Sequence, residues 1–285
     1  MLRSTLGTTT RRFAPALALG AMLVASCADA PTPPANVASP SFLVNAVWDG
    51  NGHPAVGAML YDWSGDGIDG TDLVCSGALI APTVFLTAGH CVVPFRPGAE
   101  FWVTFDSDLL DNPTNLTSLI KVSSAVADPS LKPAVGGDIH DLAVLQLPSG
   151  STAGITPVLL PGQGLLASLL AAQQLRGTSV VQVGYGVSAT AKGRPAFPWD
   201  GRRNTGTAPF QALTRFQLLL LVNTTATNES GECYGDSGSP KFLPGTNTIV
   251  SVTSWGDIPC RASAWSYRLD TGSARGFLSA FVTLP

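Results

Sequence analysis

One glycine-rich segment carries residues that could form a reactive centre. Ser237 lies between Asp236 and Gly238 in the segment Gly231–Pro240, GECYGDSGSP. Glycines at Gly235 and Gly238 permit backbone conformations that other residues rarely adopt. Such a loop can direct the N–H groups of Gly235 and Ser237 toward one point beside the Ser237 hydroxyl, as an oxyanion hole beside a nucleophile requires. Short glycine-serine runs are usually plain turns, so the interpretation depends on a base and a carboxylate elsewhere in the chain.

Both partners lie upstream of this loop. His90 ends the segment LTAGH, and Asp141 directly precedes the apolar run Leu142–Leu147. A serine hydroxyl is a weak nucleophile until an imidazole accepts its proton, and a buried carboxylate fixes the imidazole in the required tautomer. His140 and His53 lack such companions, and we interpret both as structural or surface residues.

Together these three motifs resemble those of trypsin-like serine proteases with the chymotrypsin fold. They occur in that family's order, His then Asp then Ser, and the likeness extends roughly over residues 45–285. The resemblance implies that His90 is the general base, Asp141 its orienting carboxylate and Ser237 the nucleophile. It implies a serine endopeptidase that hydrolyses peptide bonds of protein or peptide substrates through an acyl-enzyme, with the N–H groups of Gly235 and Ser237 forming the oxyanion hole.

The fold implied by this resemblance is all-β. It consists of two antiparallel Greek-key β-barrels, roughly residues 45–158 and 159–285, with a C-terminal helix. Short β-like runs, broken by Gly, Pro, Asp or Asn, agree with this architecture. The predicted strands are Leu73–Ile80, Val84–Ala88, Phe101–Phe105, Leu119–Ala125 and Leu142–Leu147 in the first barrel, and Ser179–Tyr185, Arg215–Asn223, Thr248–Trp255 and Ala264–Leu269 in the second. A leucine-rich stretch in 162–175 predicts a short helix between the barrels, and residues 273–284 predict the closing helix.

The cysteines indicate an oxidising compartment. The resemblance implies two disulfides. One is Cys75–Cys91, next to His90, and the other is Cys233–Cys260, whose first cysteine lies in the segment Gly231–Pro240, called the serine loop below. The chain-entropy model gives about 3 kcal/mol for each short loop that such a bond closes. The alternative is a zinc site, but no pair has the C-x₂₋₄-C spacing and the chain has only three histidines. Disulfides persist in oxidising compartments.

The N-terminal residues 1–26 have the features of a secretory signal. A basic start precedes an apolar run that is too short to span a bilayer as a finished helix. The run ends in VASC, which resembles the lipobox of bacterial lipoproteins and implies lipidation of Cys27. The alternative is ordinary cleavage after Ala30, which would leave Pro31 just after the cut. Residues 27–44 are rich in Ala and Pro and predict an extended tether. We expect a secreted or cell-envelope protein that is held to the membrane by this lipid.

Composition argues against a nucleic-acid-binding role. The formal net charge is −3 at pH 7, and the leader holds basic but no acidic residues, so the remaining chain is more acidic still. Mild acidity provides no positive field for nucleic acid.

Asp62, Asp66, Asp69 and Asp72 share one loop, but their spacing does not match the calcium-loop pattern, and a solvated loop is favoured. We expect a monomer with neither cofactor nor metal.

The substrate pocket is less well defined by the sequence. By the resemblance, Gly231 takes the position of the pocket floor, where proteases that cleave after Lys or Arg have an aspartate. Ser254 and Gly256 belong to one wall, and Trp265 falls where its indole would fill the base, which favours small apolar substrate side chains. The alternative is that the carboxylate of Glu232 reaches inward and attracts a basic side chain. Because a buried unpaired carboxylate is costly, we expect Glu232 to be solvated or otherwise paired.

Two alternatives to a protease stay open. One is a protease-fold binding protein without activity, because the sequence lacks the Ile-Val-Gly-Gly run whose ammonium pairs, in the family, with the residue matching Asp236. The other is a serine esterase, which shares the acyl chemistry. An α/β-hydrolase is disfavoured because its serine precedes the Asp and His in the chain.

Overall fold

Short antiparallel strands dominate the structure. The computed structural model describes residues 45–132, 137–187 and 196–285, so the predictions for the leader 1–26, the tether 27–44 and Cys27 lie outside the described residues. The strands in these ranges are β1 (Val47–Trp48), β2 (Val56–Leu60), β3 (Leu73–Ala81), β4 (Val84–Thr87), β5 (Trp102–Thr104), β6 (Ile120–Lys121), β7 (Ser124–Ala127), β8 (Ala143–Gln146), β9 (Ser179–Gly184), β10 (Asn204–Leu213), β11 (Gln217–Leu221), β12 (Pro240–Phe242), β13 (Ile249–Gly256) and β14 (Ser263–Arg268). The helices are α1 (Leu165–Ala171), α2 (Thr224–Thr227) and α3 (Gly272–Leu278). None of these helices is long and apolar enough to cross a membrane.

These strands form two curled antiparallel sheets of seven strands each within the described ranges. The order is β6-β5-β2-β3-β4-β8-β7 in the first sheet and β1-β10-β11-β14-β13-β12-β9 in the second. Strand β9 also pairs with β10, so six strands of the second sheet close into a barrel. In the first sheet the N–H of Val122 donates to Phe101 and the N–H of Ser123 donates to Gln146, so the chain passes from one edge strand to the other. The predicted all-β fold of two antiparallel barrels is confirmed.

Strands β1, β2, β10 and β12 are missing from the sequence-based prediction, and the single strand predicted for Leu119–Ala125 is divided into β6 and β7. In β2, β10 and β12, glycine or proline resembles a strand breaker. A Cβ at Gly57 in β2 would lie 2.8 Å from the carbonyl oxygen of Thr104, so glycine here permits close packing of strands rather than a turn. Pro209 lies where β10 leaves β9 and begins to pair with β11. Strand β1 pairs with β10 and therefore belongs to the second sheet, although its residues were assigned to the first barrel.

Both predicted helices are present, but the closing helix is shorter than predicted. Helix α3 ends at Leu278 rather than continuing to Leu284. Its N-cap is Thr271, whose hydroxyl accepts a hydrogen bond from the N–H of Ala274, and both Ala274 and Leu278 are buried. In α1, Leu166 is buried and packs in one cluster with leucines of β11.

A fully buried arginine links the two barrels. Arg203, which directly precedes β10, is 1% exposed and pairs with Asp49 at 2.9 Å. Its guanidinium also donates to the carbonyls of Val56 and Phe105 in the first barrel, each at 3.0 Å, and to the carbonyl of Gly50. Burial of a charged group is tolerated only when its donors are satisfied. Arg203 therefore holds the start of β10 against the first barrel.

Replacing Arg203 by Met should lower the free energy of unfolding by about 3–5 kcal/mol, because Asp49 would remain buried without its cationic partner. Urea denaturation of the purified variant measures this loss. The neighbouring Arg202 is a matched control: its pair with Asp108 is partly exposed, and Arg202→Met should cost less than about 1 kcal/mol. Equal costs for the two variants would contradict the role given to Arg203.

Candidate active site

His90 and Asp141 meet because β4 and β8 are antiparallel neighbours. Thr87 at the end of β4 lies opposite Ala143 at the start of β8. His90 follows β4 in the short 3₁₀ turn Gly89–Cys91, and Asp141 lies just before β8, so both side chains emerge at the same edge of the first barrel.

The disulfides fix both parts of the candidate site. A disulfide between Cys75 in β3 and Cys91 holds the turn that carries His90, and a second between Cys233 and Cys260 holds the serine loop. Both pairs are those that the resemblance implies. Cys75, His90 and Cys91 place possible metal-binding atoms within 4.8 Å of one another, but the two bonded sulfurs supply no thiolate.

The structure brings His90, Asp141 and Ser237 into one chain of hydrogen bonds. The His90 Nε2 atom lies 2.8 Å from the Ser237 Oγ, and its Nδ1 atom lies 2.9 Å from the Asp141 Oδ2. The backbone N–H of His90 donates to the other oxygen of Asp141 at 2.9 Å. The hydroxyl of Ser254 in β13 also donates to Asp141 Oδ2. The sequence analysis placed Ser254 in a pocket wall and did not predict this contact with the carboxylate.

Asp141 is held in its ionised form. The residue is 3% exposed, and this burial by itself raises its pKa. Hydrogen bonds from His90 and Ser254, together with the nearby imidazole charge, outweigh burial and hold the pKa of Asp141 below its usual value. An ionised Asp141 can orient the neutral His90 ring and stabilise its protonated form.

The serine loop packs closely against the first barrel at Gly238. The backbone φ angle of Gly238 is +78°, and a Cβ at this position would lie 2.1 Å from the Thr87 Oγ1 and 2.5 Å from the carbonyl oxygen of Ser76. Only glycine accommodates this contact without displacement of the barrel. The N–H of Ser76 donates to the carbonyl of Ser237 at 2.9 Å, while the N–H of Gly238 donates to Thr253 at 2.8 Å. The loop is thus bonded to both barrels.

Two N–H groups of the serine loop remain available beside Ser237. Within the described part of the chain, neither the N–H of Gly235 nor that of Ser237 donates to a protein acceptor. The carbonyl of Gly235 instead accepts a hydrogen bond from the Ser76 hydroxyl at 2.9 Å, and this hydroxyl accepts from the N–H of Tyr185 at 3.0 Å. Ser76 therefore holds the Gly235–Asp236 peptide, which lies between the two peptides that carry these donors.

Asp236 is the buried acid beneath the serine loop. It is 1% exposed and accepts hydrogen bonds from the N–H groups of Gly186 and Cys233, each at 2.9 Å. Burial raises the pKa of Asp236 to about 7, despite these two donors. A Cβ at Gly184 or Gly186 would lie 2.2 Å or 2.4 Å from the Asp236 carboxyl group. Gly184 and Gly186 are therefore the signal in the sequence for where the Asp236 carboxyl group lies. The sequence analysis did not identify this signal.

A cavity of about 400 Å³ opens beside Ser237. Ser254 and Gly256 line it as predicted, but among its described lining residues neither Gly231 nor Trp265 occurs. Trp265 stacks on Trp255 with 4.6 Å between ring centroids, and the residue before it, Ala264, lines the cavity instead. Successive residues of a strand point to opposite faces, so a register difference of one residue moves the indole out of the pocket. The expected reason for a shallow apolar pocket is therefore absent.

Glu232 lies at this cavity and is paired rather than solvated. It is 5% exposed, forms an ion pair with the fully buried Lys241 of β12, and accepts a hydrogen bond from the Thr253 hydroxyl at 2.7 Å. Lys241 was not singled out from the sequence, because a lysine in a strand is normally exposed.

A second, largely apolar cavity of about 760 Å³ lies on the other side of His90. Val93, Leu131 and Ile139 line it, and Trp255 belongs to both cavities. Together the two cavities form a cleft that extends past the hydrogen-bonded chain of His90, Asp141 and Ser237.

The sequence is similar to those of known proteins. A sequence model of the trypsin family matches residues 51–267. Prostatic glandular kallikrein-6 of Rattus norvegicus is 25% identical over 207 residues, which is 65% of this chain and 71% of that protein. Kallikrein-8 of Homo sapiens is 24% identical over 214 residues, or 70% and 74% of the two chains.

Two solved structures have the same fold. HL collagenase aligns with a TM-score of 0.60 and 16% identity, covering 84% of this chain and 98% of that one. Neuropsin, a serine protease expressed in the limbic system of mouse brain, aligns with a TM-score of 0.54 and 19% identity, covering 78% and 92%.

The raised pKa of Asp236 predicts a pH-dependent stability that Asp236→Asn removes. Between the usual aspartate pKa of 3.8 and the raised pKa of about 7, the folded chain keeps this proton while the unfolded chain has lost it. The free energy of unfolding of the wild type, taken relative to the variant, should therefore fall by about 1.4 kcal/mol per pH unit across this interval. Urea denaturation of both proteins between about pH 5 and 7 measures the difference. A difference that rises with pH, or stays constant, would contradict the assignment.

Proposed function

The chain belongs to the trypsin family, and from this premise we propose that it is a serine endopeptidase acting on protein or peptide substrates. The family and its fold support a proteolytic function. In the proposal, Ser237 is the nucleophile, His90 the general base and Asp141 its orienting carboxylate. The observation that carries the proposal is the unbroken series of hydrogen bonds from Asp141 through His90 to the Ser237 Oγ.

Each step of acyl transfer has a group in position. His90 Nε2 accepts the proton of Ser237 as the Oγ attacks the scissile carbonyl carbon, and the carbonyl π electrons move to the oxygen. The N–H groups of Gly235 and Ser237 stabilise this oxyanion, while Asp141 stabilises the protonated imidazole. His90 then donates its proton to the leaving amine, the C–N bond breaks, and an acyl-enzyme remains. Water, deprotonated by His90, hydrolyses this ester and restores Ser237.

The shape of the cleft favours a peptide over a small ester. Cavities of about 400 and 760 Å³ flank His90 and share Trp255. An extended peptide rises about 3.3 Å per residue, so a substrate that passes His90 would place side chains in both cavities. A small ester would need only one of them.

A fluorophosphonate should label the wild-type protein at Ser237 and should fail to label Ser237→Ala, because only a serine activated by an adjacent base reacts at a useful rate. Mass spectrometry of the digested adduct identifies the modified residue. Ser279→Ala, at an exposed serine just after α3, is the control and should keep the label. Adduct formation on a different serine, or none on the wild type, would rule out the proposed nucleophile.

We also propose that the protein is secreted and held to a membrane by a lipid on Cys27. Disulfides persist in oxidising compartments, which supports secretion, and the two described bonds use four of the five cysteines of the sequence and do not include Cys27. A thioether-linked lipid would account for this odd cysteine.

Expressed with its own leader, the wild-type protein should partition into the detergent phase, and Cys27→Ser should move it to the aqueous phase, because lipid chains supply the membrane affinity. Immunoblotting of the two phases measures the distribution. Aqueous partitioning of the wild type would refute the lipid anchor without affecting the proposed catalytic role of Ser237.

A further inference from the structure

The cavity beside Ser237 has a polar group at its floor that no protein donor fully satisfies. Glu232 lines the cavity and is 5% exposed. Its Oε2 atom accepts hydrogen bonds from Lys241 and from Thr253. Its Oε1 atom is buried and has no hydrogen-bond donor among the described residues. A buried carboxylate oxygen without a donor carries a desolvation cost that a bound donor would remove.

Lys241 cannot supply the missing hydrogen bond. An ammonium group has three N–H donors. In Lys241 they are directed at Glu232 Oε2, at the Thr253 hydroxyl and at the Ser239 hydroxyl. Lys241 is 0% exposed, so its charge faces Glu232 rather than solvent. No side chain that lines the cavity, the polar ones included, donates to Glu232 Oε1 among the described residues. A ligand that reaches this oxygen would supply the missing donor.

We propose that Glu232 determines the specificity of this cavity and that it selects a substrate residue whose side chain ends in a carboxamide, Gln or Asn, on the acyl side of the scissile bond. The inference rests on the proposed function, because the cavity adjoins the hydroxyl of Ser237. It names the substrate class that the family membership leaves open.

The charge balance at the floor distinguishes a carboxamide from a cation. Lys241 already neutralises Glu232, so a second ammonium bound to Oε1 would lie close to the ammonium of Lys241 in a site with little water. Like charges repel strongly in such an environment. A carboxamide N–H satisfies the oxygen without adding charge. A substrate carboxylate would set an acceptor against an acceptor, and an apolar side chain would leave Oε1 without a donor.

The test compares peptide substrates that differ only in the residue before the scissile bond. Gln, Glu, Met and Lys have similar lengths but present a neutral donor, an acceptor, no strong hydrogen-bonding group and a cation, respectively. We expect kcat/KM for the Gln peptide to exceed that for each of the other three by at least about tenfold, since one well-placed hydrogen bond to a charged group contributes on this scale. A kcat/KM for Met or Lys equal to or above that for Gln overturns the inference.

A double variant tests whether the buried pair causes the preference. In Glu232→Leu/Lys241→Met both charges are replaced together, which avoids leaving either one buried alone. The Gln-to-Met ratio of kcat/KM should fall to about 1 in this variant. The exposed pair Glu100 and Lys121 provides the matched control, and Glu100→Leu/Lys121→Met should retain the wild-type ratio. An unchanged ratio in the first double variant overturns the inference.

Measuring peptide binding without turnover distinguishes a failure of this inference from a failure of the proposed function. Peptides that end in Gln or Met at the acyl position are titrated calorimetrically into Ser237→Ala, which keeps Glu232 and Lys241 and needs no turnover. Tighter binding of the Gln peptide by about tenfold or more supports the inference even if the wild-type enzyme neither turns over substrate nor reacts with a fluorophosphonate. Equal binding of the two peptides overturns it even if Ser237 is labelled.

Discussion

The contact between Gly238 and the first barrel is the constraint on which the site depends. His90 and Asp141 belong to the first barrel and Ser237 to the second, so the 2.8 Å separation of His90 Nε2 and Ser237 Oγ is also a distance between barrels. A Cβ at Gly238 would overlap the Thr87 hydroxyl, and the barrels would have to separate. The hydroxyl of Ser76 reinforces this contact from the side of the first barrel, since it bonds the carbonyl of Gly235.

Buried ion pairs stabilise both the interior of the second barrel and the junction between the two barrels. Arg203 pairs with Asp49 and bonds across the junction to the carbonyls of Val56 and Phe105, whereas Glu232 and Lys241 pair behind the serine loop. Asp236 differs from these pairs because backbone N–H groups are its donors, and burial raises its pKa to about 7. Buried polar networks are costly when partly satisfied and rigid when fully satisfied. Within the described residues, the Oε1 atom of Glu232 has no donor, and Glu232 lines the cleft.

Local patterns in the sequence were sufficient for the fold class and for the placement of His90, Asp141 and Ser237. Each of these residues lies next to the end of a strand or inside a glycine-rich loop, and an antiparallel barrel brings such ends together. The missed strands contain residues whose local preference opposes their structure. In β2, Gly57 is required by the approach of Thr104, and in β10, Pro209 lies at a change of strand partner. Both features arise from contacts between strands that are distant in the sequence, so no local sequence pattern reveals them.

Specificity is harder to infer than catalysis for a related physical reason. The sequence placed Trp265 in the pocket by counting from its neighbours, but β13 and β14 have an irregular register between Thr253 and Trp255, and the side chains of a strand alternate between faces. A difference of one residue exchanged Trp265 for Ala264 at the cavity. The partner of Glu232 is equally hidden, because Lys241 lies beyond Ser237 in the chain and meets Glu232 only when β12 joins the barrel. The proposed catalytic residues are recognisable because the chemistry dictates their types, whereas the pocket depends on register and burial, which only the folded chain defines.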